Sequence, residues 1–88
     1  MPLPVDDELR ELCGEIVAWM SNEPEWRDIE ASDMFQSEHY CGGWEGEDEF
    51  TFNYYDDENR ELWFTLSPME VEDVAKGRRS TVETREPT

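Results

Sequence analysis

Two runs, Phe50-Thr51-Phe52-Asn53-Tyr54-Tyr55 and Glu61-Leu62-Trp63-Phe64-Thr65-Leu66, joined by Asp56 to Arg60, decide how this chain folds. In the first, Phe50, Phe52 and Tyr54 alternate with Thr51, Asn53 and Tyr55. In the second, Leu62, Phe64 and Leu66 alternate with Glu61, Trp63 and Thr65. A period of two predicts strands, and the short polar connection predicts that they pair as a hairpin. Pairing Phe52 with Phe64 brings Phe50 opposite Leu66 and Tyr54 opposite Leu62, which makes one face apolar along its whole length. A slip of one residue would mix the two faces. This register leaves Asp57, Glu58 and Asn59 as a three-residue loop whose last position needs a left-handed backbone, which Asn tolerates. Asp56 then opposes Arg60 in a cross-strand pair worth roughly 0.2–1 kcal/mol.

The hairpin runs straight into a helix signal. Ser67 suits the N-cap, Pro68 the first helical position, and Glu70 the return bond of a capping box. Glu70, Glu72 and Asp73 favour the positive end of the helix dipole and Lys76 the negative end, and Gly77 stops the helix.

Upstream, Asp6 or Asp7 can cap a helix running to about Met20. At 100° per residue, Leu9, Leu12, Cys13, Ile16, Val17, Trp19 and Met20 fall on one side, while Glu8, Glu11 and Glu15 line up opposite as an acidic ridge. Gly14 lies on the polar side, where it weakens the helix by roughly 1 kcal/mol relative to Ala. Ser21 to Pro24 end this helix by composition, and Trp26 and Ile29 return to the core. Residues 33–40 predict a further strand. Cys41-Gly42-Gly43-Trp44-Glu45-Gly46 predicts a turn. The resulting order is α-β-β-β-α, an α+β fold with a three-stranded antiparallel meander. One of its faces is covered by the first helix, and the short second helix packs at an edge or end. Residues 1–77 form this single domain. Residues 78–88 have almost nothing to bury and are expected to be a mobile tail.

With 88 residues there is room for one small core. The chain has 24 acidic against 7 basic residues, a formal charge of −17, and a mean hydropathy of −0.90. By segment the charge is −4 over residues 1–22, −9 over 23–49, −5 over 50–76 and +1 over 77–88. Such a composition is compatible with disorder, but the clean periodicities and the aromatic content of 12% predict a folded domain. The chain has no membrane-length apolar run and its first residues lack the basic start of a secretory signal, so a soluble cytoplasmic protein with Cys13 and Cys41 as free thiols is expected.

The charge and the motifs narrow the chemistry. Gly42, Gly43 and Gly46 do not read as a phosphate loop, because no Lys follows and four acids lie beside them. Direct binding to nucleic acid or to an anionic membrane is excluded by repulsion. Asp56-Asp57-Glu58-Asn59 lacks the order of a calcium loop. Cys13, His39 and Cys41 do not have the spacing of a zinc motif. No nucleophile comes with an oxyanion site, and with so many acids a pair of neighbouring carboxylates is expected by chance. No cofactor, metal or catalytic residue is therefore expected.

What remains is a binding protein. The first reading is an inhibitor or regulator that engages a basic, nucleic-acid-binding protein such as a nuclease by imitating the phosphate backbone. Its contact residues would be Glu8, Glu11, Glu15, Glu45, Glu47, Asp48, Glu49, Asp56, Asp57 and Glu58. The alternative places the contact on Trp44, Tyr55 and Trp63, taken as aromatics on the outward face of the hairpin. Those residues would meet another protein or a second copy of the chain, with the acidic surface serving solubility or a high-salt habitat.

Overall fold

A computed structural model of the chain describes residues 2–22, 34–45 and 48–86. The elements run β1 (Pro2–Pro4), α1 (Asp7–Asn22), β2 (Met34–Gln36), β3 (Tyr40–Trp44), β4 (Phe50–Tyr55), β5 (Glu61–Leu66), α2 (Pro68–Ala75) and β6 (Thr81–Glu83). They form an α+β domain with a four-stranded antiparallel sheet in the order β2-β3-β4-β5 and a separate two-stranded sheet of β1 and β6.

The central hairpin has the register its alternation predicts, with Phe50 opposite Leu66, Phe52 opposite Phe64 and Tyr54 opposite Leu62. Phe52 and Phe64 stack with ring centroids 5.0 Å apart. Asn59 takes the left-handed backbone, φ 61°. Asp56 organises the loop: its side chain accepts from the backbone N–H of Glu58 and of Arg60 and from Arg60 Nε. The capping box of α2 is complete, with the Glu70 N–H donating to Ser67 Oγ and the Ser67 N–H donating to the Glu70 carboxylate. At the other end Gly77 adopts φ 74°, Arg78 N–H donates to Asp73 O and Gly77 N–H to Val74 O, the paired bonds of a Schellman stop.

As expected, α2 meets the sheet at an edge strand, β5, and it lies alongside α1. Two other expectations are corrected. The main sheet has four strands because residues 34–44 form a hairpin of their own, closed through Ser37, whose N–H donates to Tyr40 O. Cys41 to Trp44 is thus a strand and not a turn. Gly42 is there because a Cβ at this position would stand 2.1 Å from the Thr51 carbonyl oxygen of β4, so the close approach of the two backbones excludes any side chain. Second, the segment taken as a tail with nothing to bury contributes β6. It pairs Val82 with Leu3, buries Val82 to 1% exposure, and continues to Arg85, whose backbone exchanges two hydrogen bonds with Trp63 at the outer edge of β5.

Between the helices and the sheet lies one core. Leu9, Leu12, Cys13 and Ile16 of α1 and Val71 and Val74 of α2 meet Tyr40, Trp44, Phe50, Phe52, Phe64 and Leu66. Half-buried Trp19 extends it with an edge contact to Phe35, ring centroids 5.4 Å apart. The expectations for Trp26 and Ile29 fall outside the described residues.

Candidate functional site

Because both helices cover the same side, the opposite face of the sheet has no described helix over it. The alternation that sends Tyr40, Gly42 and Trp44 into the core sends Cys41 and Gly43 outward, and it does the same for Thr51, Asn53 and Tyr55 and for Glu61, Trp63 and Thr65. Register then aligns these residues in rows. Cys41, Asn53 and Trp63 lie side by side across β3, β4 and β5, as do Gly43, Thr51 and Thr65, while Tyr55 meets Glu61.

Trp63 and Tyr55 are both half-buried on this face and are tied to one carboxylate. Trp63 Nε1 donates to Glu61 Oε1, and Tyr55 also hydrogen-bonds the Glu61 side chain. Asn53 Nδ2 donates to the Tyr55 hydroxyl oxygen at 3.5 Å. The Tyr55 hydroxyl, followed by the Trp63 indole, holds the Glu61 carboxyl below its ordinary range, so it stays ionised. Beside this network Gly43 leaves a gap between Cys41 and Glu45. The result is an open trough of about 330 Å³, floored by Thr51 and walled by Asn53 and Trp63.

Trp44 is not part of this face. It pairs with Phe50, points the same way and is 4% exposed, so its placement among the outward aromatics is corrected. The error follows from reading Cys41 to Gly46 as a turn, which concealed the strand parity that sends Trp44 inward.

A second constellation forms at one end of the sheet, where the start of α1, the β2–β3 loop and the tip of the central hairpin converge. His39 Nδ1 lies 3.0 Å from Glu8 Oε1 and His39 Nε2 lies 3.4 Å from Asp57 Oδ1. The other Glu8 oxygen accepts from Ser37 Oγ and from the His39 N–H. Glu8 therefore leaves the acidic ridge predicted for it and acts as a clasp between helix and loop. Burial alone would raise its carboxyl, but the bonds from His39 and Ser37 outweigh this and hold it below the usual range. Glu8 correspondingly raises the His39 ring above its ordinary 6.5, with burial opposing. Nearby, the Tyr40 hydroxyl donates to Asp6 Oδ2, while Asp6 Oδ1 caps α1 through the Leu9 N–H. The ligand atoms of Glu8, Glu38 and His39 lie within 4.8 Å of one another, although Glu8 and the Nδ1 side of His39 already satisfy each other.

The remaining predicted acids are dispersed. Glu11 and Glu15 stay exposed on α1, Glu45, Asp48 and Glu49 are exposed at the end of the sheet away from His39, and Asp57 and Glu58 are exposed at the hairpin tip. Asp56 is consumed in ordering its own loop, and Glu47 lies outside the described residues. Cys13 and Cys41 are on opposite sides of the sheet. Burial pushes the Cys13 thiol up to about 12, which makes it an inert core group.

Sequence reasoning missed the clasp. Its only signal was the presence of a single His within a chain of acids. Compared with family models, with curated proteins and with solved structures, the chain matches none. No described helix is long and apolar enough to cross a membrane.

Proposed function

We propose that this is a non-enzymatic binding protein that engages a basic, nucleic-acid-binding surface of another protein in place of the phosphate backbone. The observation that carries the proposal is the segregation of charge. The three acids of α2 are each matched: Glu72 with Lys76 at 2.6 Å, Glu70 with Arg79 at 3.1 Å and Asp73 with Arg78 at 3.4 Å. Three of the six described cations are thus gathered around α2. Glu11 and Glu15 on α1, and Glu45 and Glu49 at one end of the sheet, are exposed and form no ion pair with a described cation. The formal charge of −17 on a body whose long axis is 39 Å is roughly one charge per 2.3 Å, against about one per 1.7 Å in duplex DNA. A groove built for DNA would meet a comparable density here.

The test is affinity capture from the source cells at ~50 and ~300 mM salt, followed by challenge with a short DNA duplex. A basic protein that is lost at the higher salt and released by the duplex is expected. Charge reversal of Glu11, Glu15, Asp57 and Glu58, which hold no structural bonds to other elements apart from the Asp57–His39 pair, should weaken capture more than Trp63→Ala. Capture that ignores salt and duplex and is abolished by Trp63→Ala or Tyr55→Ala would replace this reading with the aromatic interface.

A further inference from the structure

We propose that the trough on the open face of the sheet is a receptor for an arginine side chain of the basic partner, with the guanidinium against Trp63 and Glu45 as its counter-ion. The inference rests on the reading of a basic partner and says where that partner is gripped.

Four features converge on this occupant. The cavity of about 330 Å³ is open and stands at the lower end of the range of small-ligand sites, about 300–1,000 Å³, so it suits one long side chain. It exists because Gly43 has no side chain between Cys41 and Glu45, which lets an incoming group reach Thr51 on the neighbouring strand. Its Trp63 wall is held from two directions. The indole N–H is bound to Glu61, and the backbone N–H and C=O of Trp63 exchange two hydrogen bonds with Arg85. An aromatic fixed in this way costs little further entropy when a flat cation stacks on it. Finally, no cation lines the trough among the described residues, and its charged and amide groups offer acceptors. Glu45 is exposed at one end, Glu61 stands at the edge of the indole, and the Asn53 amide nitrogen donates to Tyr55 and to Glu61, which leaves its Oδ1 to accept.

These properties favour arginine over lysine. Guanidinium is planar, weakly hydrated, and able to stack on an indole while donating in its own plane, whereas an ammonium is a compact and strongly hydrated charge. They disfavour an anionic occupant outright, and a purely apolar one would strand Asn53, Glu45 and Glu61. Arg85 flanks Trp63 on the side away from the trough and opposes a second cation there, so its removal should strengthen binding.

The experiment titrates the full-length ¹⁵N-labelled protein with capped hexa-arginine and capped hexa-lysine at low salt. Hexa-arginine is expected to shift the amides of Gly43 and Thr51, the Asn53 side-chain amide and the Trp63 indole N–H together, and to bind several-fold more tightly than hexa-lysine. Trp63→Leu should lower the affinity for hexa-arginine roughly five- to tenfold and that for hexa-lysine much less. Glu45→Gln, at an exposed position where folding is not at risk, should cost hexa-arginine about two- to threefold. Arg85→Gln should tighten it. If the two peptides bind alike and shift only the acids at the hairpin tip and on α1, the receptor is overturned while the basic-partner reading stands. If neither peptide binds, both fall.

Discussion

Two glycines in this chain face opposite fates on gaining a methyl group. A Cβ at Gly14 would have nothing within 4 Å. Gly14→Ala therefore should not disturb packing, and it should recover the helix propensity that glycine forfeits, about 1 kcal/mol, which for a domain of this size raises Tm by about 4–8 °C. A Cβ at Gly42 would stand 2.1 Å from the Thr51 carbonyl oxygen. Gly42→Ala has to push β3 away from β4, at a cost of ~3 kcal/mol or more, a large part of the ~4–13 kcal/mol that holds together a chain of 88 residues. Urea titration of the two variants should separate them in sign as well as in size. The same pair shows what a sequence hides. Gly14 could be assigned to the polar side of a helix from spacing alone. Gly42 looked like a turn residue because glycine's role as a contact between backbones leaves no local mark.

At the scale of elements, what could be read beforehand was what is specified locally. Phe50 to Gly77 carries its own register, loop residue, cap and stop, and all of these are formed as read. The readings that failed depended on distant partners. Val82 is a lone apolar residue among Ser80, Thr81, Glu83 and Thr84, and it becomes a core position only through partners far away in the chain, Leu3 among them. Deleting residues 78–88 should accordingly cost about 2–3 kcal/mol from Val82 burial alone, more once the edge of β5 at Trp63 is uncovered, and should lower the urea midpoint. The clasp between α1, the β2–β3 loop and the hairpin tip also depends on distant residues, and it titrates. The His39 pKa is raised in the folded state, so its contribution is complete below the ordinary value of 6.5 and fades as pH climbs through the raised one. The Glu8 pKa is depressed, so its contribution is present above 4.5 and fades as pH falls through the lowered one. The clasp is therefore strongest in the mildly acidic window between them. Urea midpoints measured from pH 6 to pH 8.5 should decline for the parent protein, and the difference from His39→Gln should shrink over that range. A constant difference would mean that His39 acts by shape and not by charge.

Across the whole molecule, self-repulsion opposes compactness, and among the described residues Lys and Arg match acids closely only around α2, at the hairpin tip and at Arg10, with His39 joining Glu8 and Asp57 when protonated. Raising salt from ~50 to ~500 mM shortens the screening length to a few ångström and should raise Tm, whereas a protein with balanced charge would barely respond. Scanning calorimetry at three salt concentrations decides this. Salt would then stabilise the fold while weakening its complex with a basic partner, an opposition that separates the two roles of the charge in one titration. The small sheet of β1 and β6 has one more consequence, which concerns time. Leu3 and its partner Val82 stand nearly eighty positions apart in the sequence. Closing so long a loop is entropically unfavourable until the rest of the chain has folded. The pairing of β1 with β6 is therefore expected to come late in folding, after the main sheet and the helices have formed.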